Sequence, residues 1–343
     1  MSRFAIGYSY QDLNDGNFFV NPKTGDVLIC DNDNVAPYGE NLGIAGKCRY
    51  MAPEVVMGKK RPDSHTDRFS LAVVLYMLLF LNHPLEGKRT MCPCLTEELE
   101  RKFYGSDPVF VWDSSNDTNR PVRGVHTNEI KLWPLYPEFV RKTFEKAFSH
   151  EVMVGNDTTH RVIEKEWQEV FTTLRDLTVK CSCGSETFID PSQQTCKCIN
   201  CGKSFERPPI LKVKKYHAAL AAGKKLYACH VQYDSDDFRE ARGEVISSRN
   251  NPALLGLRND SNNTWEAILP NGTSKGYLCI PFLFASHQAQ PIQRDGYHRK
   301  ELNRYLINQY LILLYLLYLY LIALDLPVQV RPLLDLPALD FPM

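Results

Sequence analysis

Polar and apolar positions alternate with different rhythms along this 343-residue chain, and the changes of rhythm mark its sections. Up to about residue 178, short strand-like runs give way to longer segments of helical period. Two of the short runs, FFV at 18–20 and VLIC at 27–30, are separated by NPKTGD, whose turn chemistry predicts that they pair as a hairpin. The run LAVVLYMLLFL at 71–81 is too short to span a bilayer and predicts a buried helix. Between 210 and about 290 the runs LYACHVQY, GEVISS, LLGLRN and TWEAILPNG are punctuated by NNP, DSNN and PNG, the pattern of a small antiparallel β module. Glu206–Pro209 before it reads as a linker. At 305–324 the pattern becomes almost wholly apolar, YLINQYLILLYLLYLYLIAL, with Arg299, Lys300 and Arg304 on its N-terminal side as on a cytoplasmic flank. A membrane partner is therefore expected only through 305–324. The Leu/Tyr monotony also suits an out-of-frame or decayed coding end, and 325–343 is a proline-punctuated tail.

Composition narrows this little. Hydrophobic residues make up 44% and charged residues 23%, as in ordinary globular proteins. Lys+Arg and Asp+Glu both number 40, so no global charge calls for a nucleic-acid partner. MSRFAIGYSYQD lacks the apolar run of a signal peptide, so the expected location is cytoplasmic, with a tail-anchored protein as the alternative. Cysteine usage is more informative, because five of the 11 cysteines crowd into 181–201. Cys198-Ile-Asn-Cys201-Gly202 is a metal-binding knuckle, and Cys181 and Cys183, followed by Gly184, make a shorter one. Together they predict a zinc-ribbon-like element over 179–207, with a structural, tetrahedral Zn²⁺ on four thiolates. Cys196 competes as a ligand. Cys92 and Cys94 have no second pair nearby, and Trp133, Trp167 and Trp265 read as core.

The acidic positions near the N-terminus carry the candidate chemistry. The hairpin would bring Asn17 and Asp31 to one end, where an amide oxygen and a carboxylate suit Mg²⁺ on nucleotide phosphates. Asp12, one loop away, is placed to orient a hydroxyl for attack. Here the sequence resembles the protein kinase family, specifically its large C-terminal lobe, over residues 1–178. YQDLNDGN at 10–17 stands at the catalytic loop and Asp31-Asn32-Asp33 at D-F-G. GKCRYMAPE at 46–54 stands at the end of the activation segment, so that Glu54 matches the last residue of A-P-E. Asp67 matches the aspartate opening the central buried helix, and Arg161 the arginine that pairs with Glu54. The resemblance implies a mainly α lobe with a catalytic-loop β-hairpin, transferring the γ-phosphoryl of ATP to protein Ser/Thr hydroxyls. Asp12 would be its base, and Asn17 and Asp31 would hold Mg²⁺.

The departures matter as much. Tyr10 and Gln11 replace the His and Arg of H-R-D, so a phosphorylated activation segment has no obvious docking partner. Asn14 stands where such kinases carry Lys, and Lys47 where they carry Thr, so Lys47 is expected to supply the charge missing at Asn14. No glycine-rich loop and lysine-bearing strand are legible before residue 8 or later. The small lobe that clasps ATP is thus expected to be missing, with weak or no activity for this chain alone. Another polypeptide would supply that lobe, or the chain is a truncated relic. The alternative function is a pseudokinase scaffold that binds a partner protein through the lobe and the zinc ribbon. The module at 210–290 weakly resembles the forkhead-associated modules of some bacterial kinases, without the arginine and serine that would read a phosphothreonine.

Overall fold

The computed structural model describes residues 8–20, 27–29, 33, 35–37, 40, 43 and 46–282, apart from 156–159, 214, 233–234, 264, 269–273 and 278. Asp31 and the apolar 305–324 segment lie outside the described residues.

The helix Ser64–Phe80 is the axis of the first half. Its start is written in Asp63 and Thr66: the Asp63 carboxylate accepts the His65 and Thr66 amides, and Thr66 Oγ1 accepts the Asp63 amide. Nearly all of its positions from Phe69 to Phe80 are buried, because helices Glu138–Ala147 and Glu164–Asp176 and shorter helical turns surround it. It ends at Leu81, in the left-handed region at φ 56°. Tyr76, Phe80, Phe144, Phe148 and Trp167 pack as one aromatic cluster with centroid separations of 4.6 to 6.4 Å. Each such buried side chain contributes about 1.5–3 kcal/mol of transfer free energy. The predicted buried helix and core tryptophans are therefore present as expected.

Small antiparallel pairs decorate this helical body. Phe18–Val20 pairs with Val27–Ile29 in the predicted hairpin, Phe19 opposite Leu28. Tyr8–Ser9 pairs with Ala36–Pro37. Beyond the last helix, Thr178–Lys180 with Glu186–Phe188 and Thr195–Lys197 with Ser204–Glu206 form two further hairpins. A four-stranded antiparallel sheet follows, in the order Lys225–Tyr227, Ala241–Ser247, Leu255–Asn259, Cys279–Phe282. Its core is Leu220, Leu226, Val245, Leu257 and Trp265.

Two local readings of the sequence change in the fold. The run LYACHVQY is a strand only as far as Tyr227; Ala228–Val231 is a helical turn. His230 closes it, accepting the Tyr227 amide on Nδ1 at 3.1 Å while its Nε2 lies 3.0 Å from Asp176 Oδ2. The expected linker is tied at both ends, by the Arg207 amide to Gln194 O at 2.9 Å and the Leu220 amide to Pro209 O at 2.8 Å.

The β module is also clamped to the helical body. The Arg175 guanidinium chelates Asp176 at 2.8 and 2.9 Å, donates to Phe238 O at 2.9 Å, and lies 3.9 Å from the Tyr227 ring centroid. Lys224 donates to Arg175 O at 3.0 Å. Phe188, Tyr216, Cys229 and Phe238 accordingly share one apolar core with the helices.

His83, fully buried after the central helix, makes stability depend on pH. Its Nδ1 accepts the Leu85 amide at 3.2 Å and its Nε2 faces Arg49 O at 2.7 Å, a set that only the neutral ring satisfies. Burial, against the attraction of Glu86, lowers its pKa to about 4. The unfolded ring binds its proton near pH 6.5, so stability from this group is full above that pH and drains as pH falls toward 4. The loss is about 3 kcal/mol. Urea unfolding should show a steeper decline between pH 6.5 and 4.5 for the natural chain than for His83→Gln; parallel curves would exclude this source.

Candidate active site around Asp12

The site begins with a backbone clamp. Asp67, buried in the first turn of the central helix, accepts the Tyr10 amide at 2.7 Å and the Gln11 amide at 3.1 Å. Two amides of one loop are thereby fixed to a rigid element, at the cost of a carboxylate whose burial raises its pKa to about 7. Gln11 takes φ 65°, a left-handed conformation that a side-chain-bearing residue adopts only when held there. Its Nε2 donates to Glu40 O at 2.7 Å, tying the segment beyond the hairpin to the loop. Leu13 is buried in the main core, so Asp12, the residue between Gln11 and Leu13, is held from both sides.

Asn14 is a hub that its sequence neighbours do not reveal. Its Oδ1 accepts the Gly16 amide at 3.0 Å, an Asx turn that Asn-Asp-Gly encodes locally. Its Nδ2 donates to Asp12 O at 3.0 Å and Asp12 Oδ1 at 3.1 Å, and its Oδ1 also accepts from Lys47 Nζ at 2.9 Å. Asn17 Nδ2 donates to Asp12 O at 2.9 Å, which leaves Asn17 Oδ1 without a hydrogen bond among the described residues. Asp12 and Lys47 thus meet at the Asn14 amide, and Asn17 shares the Asp12 carbonyl with it.

Gly46 explains how Lys47 comes so close. It has φ 78°, and a Cβ there would sit 3.1 Å from Asp12 Oδ1. Asp12, Gly46, Lys47, Tyr50, Val55 and Pro62 line a narrow crevice at this point.

The predicted Glu54–Arg161 pair lies behind the crevice. Arg161 Nη2 is 2.8 Å from Glu54 Oε2, and Nη1 donates to His65 O at 2.9 Å. The buried guanidinium also lies 5.6 Å from the Phe69 ring centroid. Arg68 pairs with Glu164 beside it at 3.1 Å.

The four predicted cysteines also meet. The sulfurs of Cys181, Cys183, Cys198 and Cys201 all lie within 4.8 Å of one another. Cys181 and Cys201 are 3.8 Å apart, and Cys183 and Cys198 3.7 Å apart. A tetrahedral ion with metal–sulfur distances of about 2.3 Å needs edges of about 3.8 Å. Gly184 and Gly202 follow their cysteines at φ 82° and 73°, making the two tight turns, and the Asn200 amide points at Cys198 Sγ at 3.4 Å. Cys196 is outside the set, because strand alternation turns it into the core with Leu177, Val179 and Ile189. Among the described residues, no helix is long and apolar enough to cross a membrane.

Comparison with known proteins fits this geometry. Residues 4–119 match the family described as protein kinase domain. The chain is also similar to "Protein kinase MCK1" of Saccharomyces cerevisiae (strain ATCC 204508 / S288c), 23% identical over 176 residues. That match covers 50% of this chain and 44% of the yeast protein, so the chain spans less than half the length of this curated relative.

Proposed function

We propose that the helical half, residues 8–178, is the phosphoryl-transfer side of a serine/threonine-protein-kinase-like site. The observation that carries this reading is the convergence of Asp12, Asn14, Asn17 and Lys47, with the Asp12 loop held from beneath by Asp67. Asp12 accepts and orients the acceptor hydroxyl. Asn17 Oδ1 is placed to bind Mg²⁺, with Asp31 as the expected second ligand. Bound there, Mg²⁺ would neutralise ATP phosphate charge. Lys47, held on Asn14, supplies the positive charge for the transferred group that Asn14 cannot carry. Gln11 bears no charge and its amide is engaged with the Glu40 carbonyl, so it offers a phosphorylated segment no cationic docking group.

ATP needs a second wall. Phe19 and Leu28, cross-strand neighbours on the hairpin, are 64% and 54% exposed, and nothing among the described residues covers them. A glycine-rich lobe, in the same polypeptide or on another chain, would close this face. Alone, the described half transfers phosphate slowly. With radiolabelled ATP and mixed Ser/Thr protein substrates, Asp12→Asn should lower the rate by about 10²–10⁴-fold. Equal labelling by both proteins would sink the reading.

The scaffold alternative draws on the same exposed pair, which also suits a protein partner. A melting temperature that Mg·ATP leaves unmoved would favour it, since a ligand of the folded state alone must raise that temperature. The cysteine set serves either reading as a structural zinc ribbon, since four thiolates leave no coordination position for a substrate.

A further inference from the structure

We infer that the cavity where the last helix, the first cysteine hairpin and the β module meet is a binding site for a small organic oxyanion, received by Lys224. The inference is independent of the phosphoryl-transfer reading of Asp12.

The cavity measures about 390 Å³, within the range of small-molecule pockets. Its walls come from all three units. Arg175 ends the last helix, Thr178 and Lys180 stand on the first strand of the cysteine hairpin and Glu186 on the second, and Lys224 and Tyr227 belong to the β module. Half-buried Lys224 is the cation without an anion. Among the described residues it makes no ion pair, and its one side-chain hydrogen bond goes to the neutral Arg175 O at 3.0 Å. An ammonium has three donors, so two are left for a ligand. Burial holds its pKa below the ordinary lysine value, against the attraction of Asp176 and Glu186.

The other charges on the walls are engaged or balanced. Asp176 is taken by Arg175 at 2.8 and 2.9 Å and by His230 at 3.0 Å. Lys225 and Arg258 share Glu244, and Arg258 also holds Asp260. Glu186 attracts Lys224 without reaching ion-pair distance, and it stands opposite Lys180 across the hairpin. Cys181 follows Lys180, but no cysteine lines the cavity. The turn that carries Lys224 is fixed beforehand. Gly223 takes φ 83° and donates to Val245 O at 2.8 Å, and the Val245 amide returns to Lys224 O at 2.8 Å. A cation on so rigid a turn loses little freedom when an anion binds. The shared chemistry is a carboxylate or phosphate on a body of about one ring.

The test is calorimetric titration of the full chain, without nucleotide, with phenyl phosphate, benzoate and the neutral benzyl alcohol. The two anions should bind at least about tenfold tighter than the alcohol, the effect of one charge-assisted hydrogen bond. Preference for only one of them identifies the anionic group and still supports the site. Lys224→Gln should abolish the preference, while Lys142→Gln on helix Glu138–Ala147 keeps it. Glu186→Gln should tighten both anions about two- to threefold, because it removes a like charge from the wall. Circular dichroism checks that the variants fold. On the natural chain, phenyl phosphate should slow acetylation of Lys224 by acetic anhydride, read by mass spectrometry, so the inference stays testable even where Lys224→Gln does not fold. Equal affinity for the anions and the alcohol, anion binding that survives Lys224→Gln, or Lys224 acetylation that phenyl phosphate leaves unchanged overturns the inference.

Discussion

A chelator that strips zinc from the chain is expected to lower its melting temperature by about 10 °C, and Cys198→Ser to do the same without chelator. The four sulfurs already stand close to the corners of a tetrahedron, yet the hairpins that carry them have strands of only three residues. Their own apolar support is a small cluster around Leu177, Val179 and Ile189. Elements this small draw their stability from metal binding. An ion present at about a thousand times its dissociation constant adds about 4 kcal/mol. At about 2–4 °C per kcal/mol for a chain of this order, that is the shift stated. Calorimetry with and without chelator, followed by zinc add-back, measures it. A transition that neither chelator nor Cys198→Ser moves would mean the thiols hold no structural ion.

Arg161→Met should destabilise the helical body by about 3–5 kcal/mol, the usual loss when one partner of a buried ion pair is removed. It strands Glu54, whose side chain is only 14% exposed, and removes the donor to His65 O at the start of the central helix. The double variant Glu54→Gln/Arg161→Met should recover part of the loss, because the stranded charge is gone. Urea unfolding of the two single variants and the double one gives the coupling. A cost below about 1 kcal/mol for Arg161→Met, the level of an exposed pair, would show that the pair does not anchor the segment that carries Glu54. Loss of this anchor should also loosen the Gly58–Arg61 loop, since that loop hangs on Glu54 O.

Much of the site is legible in the order of the residues alone. The hairpin of 18–20 with 27–29 follows from apolar runs around a turn, and the helix after Asp63 from a capping box and an apolar run. The clustering of Cys181, Cys183, Cys198 and Cys201 follows from knuckle spacing and from glycines that accept positive φ. Asp67 and Arg161 are legible only through resemblance, since nothing in their own neighbourhoods shows that one grips two amides and the other lies buried.

What escapes is set by contacts between distant segments. Asn14 looks like a missing lysine, but Lys47, 33 residues away, makes it the hub of the site. Cys196 has the same C-x-C neighbourhood as a ligand, and only the register of its strand against Phe205 turns it inward. ACHV has strand composition, and becomes a helical turn because His230 finds Asp176, while Arg175 grips Phe238 O and Tyr227.

Local chemistry, then, is enough for turns, caps, knuckles and apolar segments, because each depends on residues within a few positions of one another. Which charge is buried, which cation stays unpaired and which amide joins Asp12 to Lys47 come from three-dimensional packing. Those outcomes depend on the desolvation and distance of groups tens of residues apart, and neither quantity exists until the chain has closed around its central helix.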